Sequence, residues 1–138
     1  MQELKGSFVA LVTPMKSNGE IDFPALKELV EWHIESGTHG LVSVGTTGES
    51  ATLNFNDHVK VLEKTISYIN NEIVAIAGTG ANSTDEAIEL NKAASSIGYE
   101  FALSVTPYYN KPNQPGLEAH YKKIADSSVI KNILYNVP

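Results

Sequence analysis

The sequence predicts an α/β fold with a parallel sheet, built on the plan of a (β/α)8 (TIM) barrel, and three observations point to it. Five short runs rich in β-branched and aromatic residues read as continuous, buried strands. Four segments of helical spacing lie between them, giving the order βαβαβαβαβ, and the runs begin about 28 to 33 residues apart, room for one strand, one helix and two short connections. The residues suited to chemistry follow the carboxyl ends of several strands. A doubly wound sheet concentrates its signature at one switch point, so this spread favours the barrel.

The elements follow in order. Ser7 to Val12 is the first strand and leads into Thr13-Pro14. The first helix, about Phe23 to Ser36, has Asp22 as N-cap, Pro24 in its first turn, an apolar face of Leu26, Leu29, Val30, His33 and Ile34, and Gly37 as its stop. Gly40 to Val44 is the second strand, and the second helix follows Asn54 with Val59, Leu62, Ile66 and Ile69 on one face. Ile73 to Ala77 is the third strand. The third helix opens with Ser83-Thr84-Asp85-Glu86, a capping box in which the Ser83 hydroxyl and the Glu86 carboxylate satisfy each other's backbone donors, and runs to Gly98. Phe101 to Val105 is the fourth strand; a weaker helix after Pro115-Gly116 carries Leu117, Tyr121, Ile124 and Ala125; Asn132 to Val137 is the fifth strand, with Lys131 just before it. A barrel has eight strands, so residues 1–138 read as the N-terminal portion of a single barrel domain, about four and a half βα units, truncated after strand 5.

Composition narrows the function. Of the 138 residues 42% are apolar and 19% charged, enough hydrophobic material for a core and too little charge for wholesale disorder. The net charge of -6 opposes attraction to nucleic acid or anionic lipid, so neither is expected as a partner. With no cysteine, disulfides, zinc-thiolate sites and thiol nucleophiles are all excluded. All ten basic residues are lysines, so a guanidinium clamp on a carboxylate has no source in these residues. No apolar run approaches a membrane span and the start lacks the pattern of a signal peptide, which sets a cytoplasmic location as the expectation.

Three loops carry the chemistry. Gly45-Thr46-Thr47-Gly48-Glu49-Ser50 reads either as a cradle of backbone N–H groups and hydroxyls for a small carboxylate, or as a connecting turn whose hydroxyls cap the backbone. Gly78-Thr79-Gly80-Ala81-Asn82-Ser83 lacks the third glycine of a dinucleotide loop and reads better as a close-packed turn. Thr106-Pro107-Tyr108-Tyr109-Asn110-Lys111-Pro112 presents two adjacent phenols, either a proton shuttle facing a cavity or an aromatic anchor at an interface. Tyr135 stands near the carboxyl end of the fifth strand, where an inward phenol would face the same cavity and an outward one would be a core tyrosine. His33, His39, His58 and His120 lack the close spacing of a metal site, and no metal or cofactor is expected.

Taken together, GSFVALVTPM, VSVGTTGESATLN, AGTGANST, TPYYNKP and LYNVP, in this order and spacing, resemble the 4-hydroxy-tetrahydrodipicolinate synthase (dihydrodipicolinate synthase) family, and the resemblance runs from Gly6 to Pro138. It implies a class I aldolase barrel that condenses pyruvate with L-aspartate 4-semialdehyde in the diaminopimelate branch of lysine biosynthesis, as a homotetramer built from tight dimers. A lysine on a later strand forms a Schiff base with pyruvate. By matching motif, Thr46 relays protons between Tyr135 and Tyr109, with Tyr109 reaching a neighbouring subunit's site; Thr47 helps hold the pyruvate carboxylate; Tyr135 is the general acid/base of imine formation.

The resemblance also implies that the Schiff-base lysine and a substrate-binding arginine lie beyond Pro138, so these 138 residues alone are expected to be inactive. Lys131 sits at the far end of the barrel from the reactive loops, and among the other lysines only Lys111 lies in a loop on the reactive face. A lysine-effector pocket would comprise Ser50, Ala51, His58, Asn82, Glu86 and Tyr108, although Phe55 stands where inhibited relatives often carry a second histidine. Two alternatives stay open: a related pyruvate lyase, acting on N-acetylneuraminate or a keto-deoxy sugar acid, and a noncatalytic half-barrel that binds another chain through its open edges.

Overall fold

The computed structural model describes residues 4–137. Strands β1 (Phe8–Ala10), β2 (Gly40–Ser43), β3 (Val74–Gly78), β4 (Phe101–Val105) and β5 (Lys131–Tyr135) alternate with helices α1 (Phe23–Glu35), α2 (Phe55–Ile69), α3 (Thr84–Ile97) and α4 (Gln114–Ser127); a 3-10 turn, Ser50–Thr52, precedes α2. Every neighbouring pair of strands is parallel, and the spatial order is β1-β2-β3-β4-β5. Strands laid down in chain order belong to a barrel segment; a doubly wound sheet would reverse direction at its switch point.

The strands carry apolar residues on both faces, which is why they read as unbroken apolar runs. On one face Phe8, Val42, Val74, Ile76, Phe101, Leu103 and Ile133 pack strand against strand, the lining of a barrel interior. On the other, Leu11, Leu41 and Ala77 meet Leu26 and Val30 of α1, Val61, Leu62 and Ile69 of α2, and Ala94 of α3. Ser43 also faces the helices: its Oγ lies 3.0 Å from the Tyr99 hydroxyl, which donates to the Leu62 carbonyl at 2.8 Å.

Caps set the helix starts as the local sequence dictates. Asp22 accepts from the Ala25 amide at 3.1 Å, and Asn54 accepts from the Asp57 amide at 3.0 Å while donating to the Asp57 carboxylate at 2.7 Å. Ser83 accepts from the Glu86 amide at 3.4 Å, but the reciprocal bond of the capping box is not formed among the described residues, so Glu86 keeps its carboxylate free of that duty. Gly98, at φ +105°, closes α3 in the left-handed conformation that glycine adopts without a Cβ clash.

Other sequence expectations shift as well: β1 is shorter than read, Phe8–Ala10, and β5 ends at Tyr135 instead of Val137. Helix α4 starts at Gln114 under an Asn113 cap, because Pro115 is tolerated inside a first turn and need not precede it. β5 begins with Lys131, paired to Phe101, so this lysine is part of the strand and its ammonium stands 5.2 Å from the Phe101 ring centre. Val44 leaves β2 in a left-handed turn, φ +53°, one residue earlier than a regular strand would end. No helix among the described residues is long and apolar enough to cross a membrane.

Candidate functional site

The carboxyl ends of β2 to β5 converge on a shallow depression. Thr46 and Tyr135 line it together with Gly78, Gly80 and Val105. Tyr135 is the last residue of β5, two positions after Ile133, and side chains two apart share a sheet face, which turns the phenol toward the barrel interior. The Thr106 amide donates to the Tyr135 carbonyl at 2.9 Å and fixes this strand end against β4.

The β2–α2 loop is a tight turn held from both sides. Glu49 N donates to Thr46 O at 3.1 Å and Ser50 N to Gly45 O at 3.3 Å, while the buried Thr13 hydroxyl donates to Gly48 O at 2.7 Å. Thr46 and Thr47 are exposed, and their amides make no hydrogen bond among the described residues. Two free N–H groups with two hydroxyls beside them form a donor set suited to a carboxylate.

The glycine-rich β3–α3 loop is a packing device. A Cβ on Gly80 would overlap the Val105 amide nitrogen, so its backbone lies directly against β4. Thr79 is fully buried and accepts from Asn91 Nδ2 at 2.7 Å, and Asn91 Oδ1 accepts from the Ser128 hydroxyl at 2.9 Å. This chain of bonds ties the β3 end to α3 and to the α4–β5 connection, the close-packed turn of the sequence reading.

The two phenols of the β4–α4 loop part company. Tyr109, at φ +66°, is 93% exposed and projects away from the depression, so within one chain it does not meet Thr46 or Tyr135. Tyr108 is partly covered; burial first, and the Glu86 carboxylate second, push its pKa up. Asn110 Nδ2 donates to the Asn82 carbonyl at 3.4 Å, joining the β4 and β3 loops. Asn82, Glu86 and Tyr108 are thus neighbours, while Ser50 and Ala51 stand on the 3-10 turn of the next loop.

His58 is the buried member of that group. Its Nε2 donates to the Gly78 carbonyl at 2.7 Å, and burial depresses its pKa, the hydrogen bond opposing. Periodicity gave no sign of this, nor of the Thr13–Gly48 bond or the turn at Val44, since each depends on partners remote in sequence or on a dihedral angle. The other three histidines also make hydrogen bonds, His33 to the nearby Thr38, and His39 to Ser7 N and His120 to Thr84 across more than 30 residues. Lys111 is exposed at φ +39° in the β4–α4 loop.

Comparison with known proteins fits this geometry. The profile of the dihydrodipicolinate synthetase family matches residues 3–138. The chain belongs to that family. Over 134 residues it is 58% identical to the 4-hydroxy-tetrahydrodipicolinate synthase of Thermodesulfovibrio yellowstonii, covering 97% of this chain and 46% of that protein. Among solved structures of the family it is similar to the chloride-inhibited dihydrodipicolinate synthase of Acinetobacter baumannii complexed with pyruvate, with TM-score 0.96 and 56% identity over 99% of this chain and 47% of that one. The dihydrodipicolinate synthase of Cyanidioschyzon merolae with lysine bound gives 0.91 and 39% over 96% and 45%. These family members are (β/α)8 barrels, of which the present sheet and helices form a part, and the chain spans about half the length of the relatives it matches.

Proposed function

We propose that these residues are the N-terminal portion of a single (β/α)8 domain that condenses pyruvate with L-aspartate 4-semialdehyde to 4-hydroxy-tetrahydrodipicolinate, in lysine and diaminopimelate biosynthesis. The observation that carries the reading is the meeting of Thr46 and Tyr135 at one depression beside the free amides of Thr46 and Thr47, in a fold so close to a relative complexed with pyruvate. A lysine from the rest of the barrel attacks the pyruvate ketone. Tyr135 protonates the departing hydroxyl, water leaves, and the iminium withdraws electrons so that the methyl carbon loses a proton and attacks the aldehyde. The amino group of the second substrate then adds to the imine carbon, closing the ring and releasing the lysine amine. Thr47 and the loop amides hold the pyruvate carboxylate. Thr46 passes protons between Tyr135 and a Tyr109 supplied by a second copy, which accounts for a phenol 93% exposed on its own chain.

Two further assignments belong to the same reading. The enzyme assembles from tight dimers into a homotetramer, with the Tyr109 loop at the tight contact. Ser50, Ala51, His58, Asn82, Glu86 and Tyr108 bound a lysine-effector pocket; the nearness of Tyr108 to the Glu86 carboxylate, and the lysine bound to the Cyanidioschyzon merolae relative, support it.

The test is a substrate comparison on the intact enzyme. Turnover with pyruvate and aspartate semialdehyde, and none with pyruvate and N-acetylmannosamine or a sugar-acid aldehyde, is expected. The reverse preference would reassign the site to a sister lyase.

A further inference from the structure

The turn at Val44 breaks the strand alternation. Leu41 and Ser43 face the helices and Val42 faces the barrel interior, so a regular strand would place Val44 inside, at the mouth of the site. Its side chain is instead buried in the helix-side layer with Leu11, Leu41 and Val61, 1% exposed, because φ at +53° rotates the chain. A β-branched residue resists that region, so the surroundings must enforce it.

The enforcing contacts come from two glycine backbones. Gly48 folds back onto Val44, where an added Cβ would stand 3.0 Å from the Val44 Cα and 3.1 Å from its nitrogen. On the other side Gly78 leaves room for the Val44 carbonyl: a Cβ there would overlap that oxygen and lie 2.7 Å from Gly45 N. Gly78 is itself held by the buried His58, whose Nε2–H donates to the Gly78 carbonyl at 2.7 Å. The Val44 peptide thus lies between two glycine backbones, and the next residues are Gly45, Thr46 and Thr47.

We infer that Gly78, secured through its carbonyl by His58, is a positioning residue for the Thr46–Thr47 loop, and that His58 acts through it. The pair fixes the left-handed turn at Val44 and so sets where the two threonines and their amides stand. This rests on the proposed role of that loop in binding pyruvate, and gives His58 a task independent of any effector.

The test uses the intact enzyme without lysine, with borohydride trapping of the pyruvate adduct measured alongside kinetics. Gly78→Ala is expected to lower kcat/KM for pyruvate by ~10- to 100-fold, the scale of a displacement near 1 Å at a reacting centre. His58→Ala is expected to raise KM for pyruvate several-fold more than it lowers kcat, with trapping preserved at saturating pyruvate. His58→Gln, whose amide can still donate to Gly78, restores most of the loss. Where Gly78→Ala fails to fold, the two His58 variants decide. Wild-type constants in a folded Gly78→Ala or His58→Ala enzyme, or a His58→Gln enzyme as impaired as His58→Ala, would overturn the inference. A wild-type enzyme that traps no pyruvate overturns the functional reading and this inference with it.

Discussion

The Thr13 hydroxyl donates to the Gly48 carbonyl at 2.7 Å, a buried bond between residues 35 apart. It pins the β2–α2 loop to the end of β1, and Gly48 in turn rests on Val44. In the intact enzyme Thr13→Val, nearly the same shape without the donor, leaves a buried carbonyl short of its partner and costs about 1–3 kcal/mol. Steady-state kinetics should show a raised KM for pyruvate with the protein still folded; unchanged kinetics would mean that the loop keeps its place without this bond.

Asn91 offers a second check, on stability. Its amide donates to the buried Thr79 hydroxyl, and its carbonyl accepts from the half-buried Ser128. Asn91→Leu strands the buried Thr79 hydroxyl, while Ser128 keeps its bonds to Ile130, and denaturant unfolding should report a loss of about 1–3 kcal/mol, the scale of one buried polar group left unpaired. A loss under 0.5 kcal/mol, the size of a neutral surface change, would contradict the network.

Much of the fold was legible in the sequence because its signals are local. Asp22, Asn54 and Ser83 cap the helices they precede, and Gly37 and Gly98 close two, since a cap is read within four residues of its helix end. The grouping of Thr46 with Tyr135 was legible too, because parallel strands deliver every carboxyl end to one side of the sheet. The rest was hidden for equally physical reasons. His58 lies on an apolar helix face like any core histidine, and only the tertiary fold brings Gly78 to it. The start of α4 was obscured because Pro115 suits a first turn as well as a preceding one. Val44 looks like ordinary strand material, and only the crowding by two glycines turns it left-handed.

Stability should fall in mild acid. Burial lowers the pKa of His58 and of His120, whose Nε2 is buried without a partner among the described residues. The folded state thus prefers neutral imidazoles, while the unfolded chain titrates near 6.5. The contribution is complete above about pH 6.5 and is lost as pH falls through that value toward the depressed folded pKa, where the unfolded chain binds more protons. Urea midpoints of the intact enzyme should drop between pH 7.5 and 5.5, and His120→Gln should make the drop shallower; a flat profile would contradict the sign.

Thr46, Thr47 and Tyr135 are expected to serve a substrate imine whose amine comes from elsewhere in the barrel. Borohydride reduction of the intact enzyme with pyruvate, followed by peptide mass mapping, tests it most directly. A reduced pyruvate adduct on a single lysine outside residues 1–138 is expected. No adduct, or one on Lys111 or another lysine of this segment, would contradict it.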